Sequence, residues 1–193
     1  MNTNREGRSA SLAARIASVI AMGIASLASA APASPASPAG PNISAQLPAL
    51  APRAIAWAEQ QSAMVAKSGV ALTPAQQQLA RRVGVREPQR IRLLVVDRFP
   101  LPEEAEVRAA AMRIGLARPT IIGLTLGHSV MVRRGYERDA RLLSHELRHV
   151  SQYEARGGIA PFLAQHLKDL AQFGYEDSPF EVDARAHEVD NHL

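Results

Sequence analysis

The sequence predicts an α+β fold that is mostly helical, with a small antiparallel sheet or hairpin directly before a central helix. Three observations support this prediction. Several segments repeat apolar residues at helical spacing, Thr120–Val132 alternates apolar and β-branched residues, and Ala140–Glu154 contains the pattern His-Glu-x-x-His. About 140 residues follow the N-terminal segments described next, which is the size of one domain.

Residues 1–30 have the pattern of a secretory signal peptide. Three arginines form a basic start, residues 16–27 form an apolar segment too short to span a membrane, and Ala28–Ala30 offers small residues for cleavage. An uncleaved N-terminal anchor is the alternative. With cleavage, we expect an exported protein, periplasmic or secreted, that has no stable membrane span.

Composition excludes some classes of partner. The chain has 22 Lys and Arg against 18 Asp and Glu, a formal net charge of +4. Because three Arg and one Glu lie in the signal peptide, cleavage leaves +2. No basic run with interleaved aromatic residues occurs, so nucleic-acid binding is not expected. Cysteine is absent, so in an oxidising compartment the fold must depend on its core and on any bound metal.

Residues 31–52 are rich in Pro, Ala and Ser, and we expect an extended, mobile linker there. The domain is then predicted over residues 53–193. Its first helices are expected over Arg53–Ala66 and Pro74–Val83, and Thr73 is the expected N-cap of the second.

The middle of the domain is predicted to contain the strands. Ile91–Val96 is a short apolar, β-branched run typical of a buried strand, and Glu103–Leu116 follows as a helix. Thr120–Val132 is expected to form a hairpin. In a peptidase its edge would suit pairing with an extended substrate, and an ordinary structural hairpin is the equal alternative. His128, in this hairpin, is expected at a turn or on the surface.

The central helix carries the chemistry. His145 and His149 are four residues apart, so both imidazoles lie on one face and can bind one zinc ion, with Glu146 beside the metal-bound water. At 100° per residue the apolar residues gather on a different face, which suits a helix packed into a core. These apolar residues are Leu143, Leu147 and Val150.

Two further helices are predicted after this one. Gly157-Gly158 ends the central helix, Ile159–Phe173 repeats apolar residues at helical spacing, and a last helix begins at Ser178-Pro179. His166 falls outside the apolar positions of the middle helix and is expected to be exposed.

A catalytic zinc usually has three protein ligands and one water, so a third ligand is required. The downstream candidates all lie on or near the last helix: Glu181, Asp183, His187, Glu188 and His192. Glu181 also has a purely structural interpretation, because Ser178 and Glu181 have the spacing of a capping box. Asp183 and His187, four residues apart, are the rival pair of ligands.

The stretch HELRHVSQ, followed by GYEDSPFEVDARAHE, resembles the gluzincin group of zinc metallopeptidases. The similarity extends to a small bacterial metallopeptidase-like domain associated with extracellular contractile injection systems, and it covers Thr120–Glu188. It implies a zincin-like fold and a third ligand in a Glu-x-x-Ala pattern, which Glu181 and Ala184 match. Arg185 stands where many members have Asp, so Asp183 or Asp190 is expected to replace that carboxylate.

The combined expectation is an exported zinc metallopeptidase acting on a peptide or protein substrate. His145, His149 and Glu181 would bind the metal, Glu146 would act as general base, and the oxyanion donor would be Tyr175 or His187. One alternative is a non-catalytic zincin-fold domain that binds a partner in the envelope or outside the cell. Another is a structural zinc site, although such a site does not need the carboxylate of Glu146.

Overall fold

The computed structural model describes residues 43–113 and 120–190. Over these ranges six helices surround a four-stranded sheet, which confirms the predicted α+β class. The predicted signal peptide and the first part of the predicted linker lie outside the described residues. Within the described ranges, no helix combines the length and apolar character needed to cross a membrane.

The helices are α1 (Ile43–Ser68), α2 (Pro74–Arg82), α3 (Ala105–Arg113), α4 (Ala140–Arg156), α5 (Ile159–Phe173) and α6 (Pro179–Ala186). The strands are β1 (Val70–Ala71), β2 (Arg92–Val96), β3 (Gly123–Leu126) and β4 (Ser129–Arg133), and a short 3₁₀ helix, Pro88–Arg90, precedes β2. All the predicted helices and strands are present. The predicted end of α3 runs into residues 114–119, outside the described part.

The strand order in the sheet is β1-β2-β4-β3. Strands β3 and β4 pair antiparallel, with Leu126 opposite Ser129, and form the predicted hairpin. Its turn contains Gly127, whose φ of 66° suits glycine, and His128. Strand β2 joins β4 in parallel, so the sheet is mixed. Strand β3 therefore lies at one edge of the sheet.

Successive residues of β2 and β4 alternate between two cores, as expected when both faces of a sheet are covered. One face packs against α2 and α4, with a buried cluster that includes Leu93, Val130, Val132, Leu143, Leu147 and Val150. The other face packs against α1 and α5 through Ala58, Val65, Leu126 and Met131, with Trp57 beside them. The three apolar residues predicted on α4 are fully buried.

Helix α1 begins ten residues before the predicted start, so the prediction of an extended linker over residues 43–52 is wrong. The helix includes Pro48 and Pro52, each of which removes a backbone donor. Leu50 is buried, and Arg53 forms ion pairs with Glu104 and Glu106 next to α3. The helix therefore extends through both prolines and makes tertiary contacts that composition alone could not indicate.

Helix α4 has well-defined ends. The Asp139 side chain accepts a hydrogen bond from the Leu142 N–H at 3.0 Å, and Gly157 ends the helix with a left-handed φ of 86°. Between these caps, α4 packs against β3, β4, α2, α5 and α6. The helix predicted to carry the chemistry is therefore central to the described part of the fold.

Candidate metal centre

Three potential metal ligands converge between α4 and α6. The Nε2 atoms of His145 and His149 lie 3.2 Å apart. Glu181 Oε2 lies 3.4 Å from His145 Nε2, and Glu181 Oε1 lies 3.4 Å from His149 Nε2. All three side chains are buried. The structure thus brings together the two histidines and the glutamate predicted as ligands.

The spacing of these atoms fits a tetrahedral cation. A zinc ion with bonds of about 2.0–2.1 Å separates its ligand atoms by about 3.3–3.4 Å. The separation of 3.2 Å between the two Nε2 atoms is close to this, and each of them has one Glu181 oxygen at 3.4 Å, Oε2 for His145 and Oε1 for His149. In addition, Glu181 Oε2 is buried and makes no hydrogen bond of ordinary geometry among the described residues, since its contact with His145 Nε2 is long, at 3.4 Å, which leaves a carboxylate oxygen poorly satisfied. A metal ion bound at this point would satisfy it.

The capping-box interpretation of Glu181 is wrong. Ser178 is the N-cap residue of α6, but its side chain makes no capping hydrogen bond and its buried Oγ has no partner among the described residues. Instead Glu181 and Ala184, three residues apart, form the buried face of α6 that packs on α4. The small side chain of Ala184 allows the helices to approach, and this places the glutamate beside the histidines.

His145 is oriented by Glu188, which follows α6. Glu188 Oε1 lies 3.0 Å from His145 Nδ1, and its other oxygen accepts a hydrogen bond from Arg141. With Nδ1–H donating to the carboxylate, Nε2 is left free to bind a metal. Asp183 or Asp190 was expected to supply the supporting carboxylate; at His145 this carboxylate is Glu188 instead.

His149 is oriented by an amide. Gln152 Oε1 lies 2.8 Å from His149 Nδ1, and Gln152 Nε2 donates to Asp183 Oδ2 at 2.6 Å. Asp183 also accepts two hydrogen bonds from Arg148, whose third nitrogen donates to the Val83 carbonyl. Asp183 is thus occupied by these contacts and supports His149 indirectly, whereas the sequence presented it as a rival ligand.

The charges at the centre favour a cation. Burial alone would raise the pKa of Glu181, but its interactions with His149 and His145 outweigh it and lower the pKa to about 2. Burial alone would lower the pKa of His145, yet its contacts with Glu181 and Glu188 raise it to about 10. Without a metal, a proton on His145 supplies the positive charge. Metal binding must therefore displace a proton.

Glu146, the predicted general base, is buried next to this cluster and does not belong to it. Its negative charge helps to raise the pKa of His145. Its Oε2 accepts a hydrogen bond of 2.6 Å from the Thr125 hydroxyl on β3. Glu146 is thus a buried carboxylate, additional to the ligands, at the junction of α4 with the edge strand.

The two predicted oxyanion donors have different surroundings. Burial of the Tyr175 hydroxyl, together with the negative charge of Glu181, raises the pKa of that tyrosine well above its usual value. The residue as a whole is 42 % exposed, so Tyr175 borders both the site and solvent. His187 ends α6, and its Nδ1 lies 2.8 Å from the Asp183 carbonyl. It is absent from the ligand cluster found among the described residues. The candidate His192 lies outside the described part.

Sequence reasoning missed His166. This histidine was expected to be exposed, but only 13 % of its side chain is accessible, and Nε2 lies 3.6 Å from Glu181 Oε1. Its ring packs near Phe162 and Phe180, and burial lowers its pKa to about 4. The spacing of the apolar residues on α5 did not predict this burial. The face that carries His166 lies outside the apolar positions, yet it packs against the site.

A second set of potential ligands lies at the other end of α4, formed by Glu87, His128 and Glu154. Glu154 Oε1 accepts from the Glu87 N–H at 3.0 Å and contacts His128 Nε2 at 2.9 Å, and Oε2 accepts from the Arg86 N–H at 2.7 Å. These contacts already satisfy the carboxylate. The cluster ties the loop before β2 and the hairpin turn to α4, and His128 is at the predicted turn.

The chain was compared with protein-family models, curated proteins and solved structures, and none of them matches it.

Proposed function

We propose that this protein is an exported zinc-dependent peptidase. The observation that carries the proposal is the convergence of His145, His149 and Glu181 on one buried point, with a further buried carboxylate, Glu146, on the same helix. A structural zinc site is normally closed by four protein ligands, whereas three ligands and an extra carboxylate are typical of a hydrolytic site. The predicted signal peptide supports export.

In this proposal each residue has a defined task. Zinc, when bound, would polarise the scissile carbonyl and activate water for attack. Glu146 accepts a proton from the attacking water and returns it to the leaving amine. Tyr175 donates a hydrogen bond to the oxygen on which negative charge develops. Glu188 and Gln152 keep the imidazoles in the orientation that presents their Nε2 atoms.

The position of β3 at the edge of the sheet favours a peptide as the substrate. The Ile122 carbonyl accepts from the Arg133 N–H, towards the inside of the sheet, and the Thr125 carbonyl faces outwards and accepts from the Tyr153 hydroxyl. Because backbone groups alternate along a strand, those of Gly123 also face outwards. Since the Thr125 carbonyl is already bonded to Tyr153, an extended peptide would add to this edge through the backbone groups of Gly123, next to Glu146.

The test is a Glu146→Gln variant, assayed with fluorescein-labelled casein and a mixed peptide library. We expect the parent to cleave peptide bonds, to lose activity on chelation and to regain it with zinc. Glu146→Gln should retain zinc but lose activity by about 10²–10⁴-fold, since it removes proton transfer alone. Glu59→Gln, at an exposed position of α1, is the matched control. A Glu146→Gln protein as active as the parent would contradict the proposal.

A further inference from the structure

The edge strand contacts the carboxylate of Glu146 through a hydroxyl. Thr125 Oγ1 lies 2.6 Å from Glu146 Oε2 and 3.1 Å from the Glu146 carbonyl oxygen. Both residues are buried, with 6 % and 5 % exposure. A hydroxyl has one proton, and 2.6 Å is the length typical of a bond from a hydroxyl to a charged oxygen. Thr125 therefore donates to the carboxylate.

The same strand leaves room for the other carboxylate oxygen. Gly123 lies two residues before Thr125 and thus on the same face of β3. A Cβ atom at Gly123 would lie 2.2 Å from Glu146 Oε1 and 2.6 Å from Cδ. The Glu146 carboxylate therefore lies against the bare backbone of Gly123 and accepts a hydrogen bond from Thr125.

Thr125 is itself fixed in place. The Tyr153 hydroxyl donates to the Thr125 carbonyl at 3.1 Å, and Tyr153 packs against Phe162 with ring centroids 3.9 Å apart. Tyr153 follows Glu146 by seven residues, two turns along the same face of α4. The helix that carries the carboxylate thus also holds the strand that binds it.

We propose that Thr125 is a positioning residue, which holds the Glu146 carboxylate in one orientation beside the metal centre. The proposal rests on the proposed function, because it gives Glu146 the role of general base. A glutamate has three rotatable side-chain bonds, and a general base must lie within hydrogen-bond reach of the proton it accepts. The hydroxyl of Thr125, with the space at Gly123, selects one carboxylate position.

The contact can be tested without a substrate by a double-mutant cycle in metal-free protein. The variants are Thr125→Val, which keeps the shape but removes the donor, Glu146→Met, and the double variant. Urea unfolding of the parent should shift to a clearly lower midpoint with Thr125→Val, because a buried charge loses its donor. In the Glu146→Met background the shift should be clearly smaller, because the hydroxyl then has the main-chain carbonyl of residue 146 as its acceptor, at 3.1 Å, in place of the carboxylate. Equal shifts in both backgrounds would overturn the proposal.

The catalytic consequence is tested with zinc-loaded protein and labelled casein. We expect Thr125→Val to lower kcat about 10- to 100-fold at unchanged zinc content and with little change in KM, the usual size for a supporting contact. Thr125→Ser retains the hydroxyl and should recover most of the rate. Full activity of Thr125→Val, or no recovery in Thr125→Ser, would overturn the proposal. If the parent shows no zinc-dependent hydrolysis, the proposed function fails, and the cycle still decides whether Thr125 holds Glu146.

Discussion

At the scale of single residues, the two histidines are supported differently. A charged carboxylate, Glu188, accepts from His145, whereas a neutral amide, Gln152, accepts from His149. Each acceptor is in turn held by an arginine, directly or through a carboxylate. Both imidazoles are therefore held in an orientation that presents Nε2 to the candidate metal position. Metal affinity should depend on these supports as well as on the ligands.

Replacing Gln152 tests this dependence. We expect Gln152→Leu to weaken zinc binding about 10- to 100-fold, because the His149 Nδ1–H loses its acceptor and Asp183 loses a donor. Competition with a chromophoric chelator gives the affinity. Gln77→Leu is the control, since Gln77, on α2, donates to the Leu72 carbonyl away from the candidate site. Equal affinity of Gln152→Leu and the parent would show that the contact has no effect on the metal.

Part of the site was predictable residue by residue. His145, His149 and Glu146 followed from spacing on one helix, and Glu181 from its resemblance to a known pattern. The roles of Asp183 and Glu188 were not predictable, because ligands and supporting carboxylates have the same chemistry. Whether a carboxylate is a candidate ligand or a supporting group depends on the face of α6 that packs on α4. This face contains the buried residues Glu181 and Ala184.

At the scale of helices and strands, the ends of helices were predicted correctly where the sequence contains a recognisable capping residue. Thr73 caps α2 in a capping box with Gln76, and Gly157 ends α4 with a positive φ. The start of α1 was not predicted, because residues 43–52 are Pro-rich and the sequence does not show that Leu50 is buried. Local sequence patterns predict where a helix ends, but they do not show which elements the helix packs against.

The C-terminal end of α4 allows a prediction about pH. Burial alone would raise the pKa of Glu154, but hydrogen bonds from the Arg86 backbone, His128 and the Glu87 backbone outweigh it and lower the pKa. A lowered folded-state pKa means that the stabilisation is present above the unfolded value of about 4.3 and is lost as the pH falls through the folded value.

We therefore expect Glu154→Gln to lower the urea midpoint at pH 7, by an amount corresponding to about 1–3 kcal/mol, because a buried acceptor of several donors is replaced by one with fewer acceptor sites. The difference from the parent should shrink between about pH 4.5 and pH 3. Glu59→Gln, in an exposed position, should show no such trend. A difference that stays constant down to pH 3 would mean that the ionised form of Glu154 contributes nothing.

At the scale of the whole molecule, the described part of the chain places the candidate site where three elements meet. Helix α4 contributes two candidate ligands and Glu146, α6 contributes the third candidate ligand, and β3 contacts Glu146 at the edge of the sheet. Each element was predictable by itself. The parallel pairing of β2 with β4 was not, because the two strands are far apart in sequence and no local pattern specifies their contact.

The central claim is that His145, His149 and Glu181 form one metal site. The most direct test is the zinc content of the purified protein, measured by mass spectrometry of the metal, in the parent, Glu181→Ala and the exposed control Glu59→Ala. We expect about one zinc per chain in the parent and in the control, and a clear loss in Glu181→Ala. Equal zinc in Glu181→Ala and the parent, or no zinc in the parent after reconstitution, would contradict the claim.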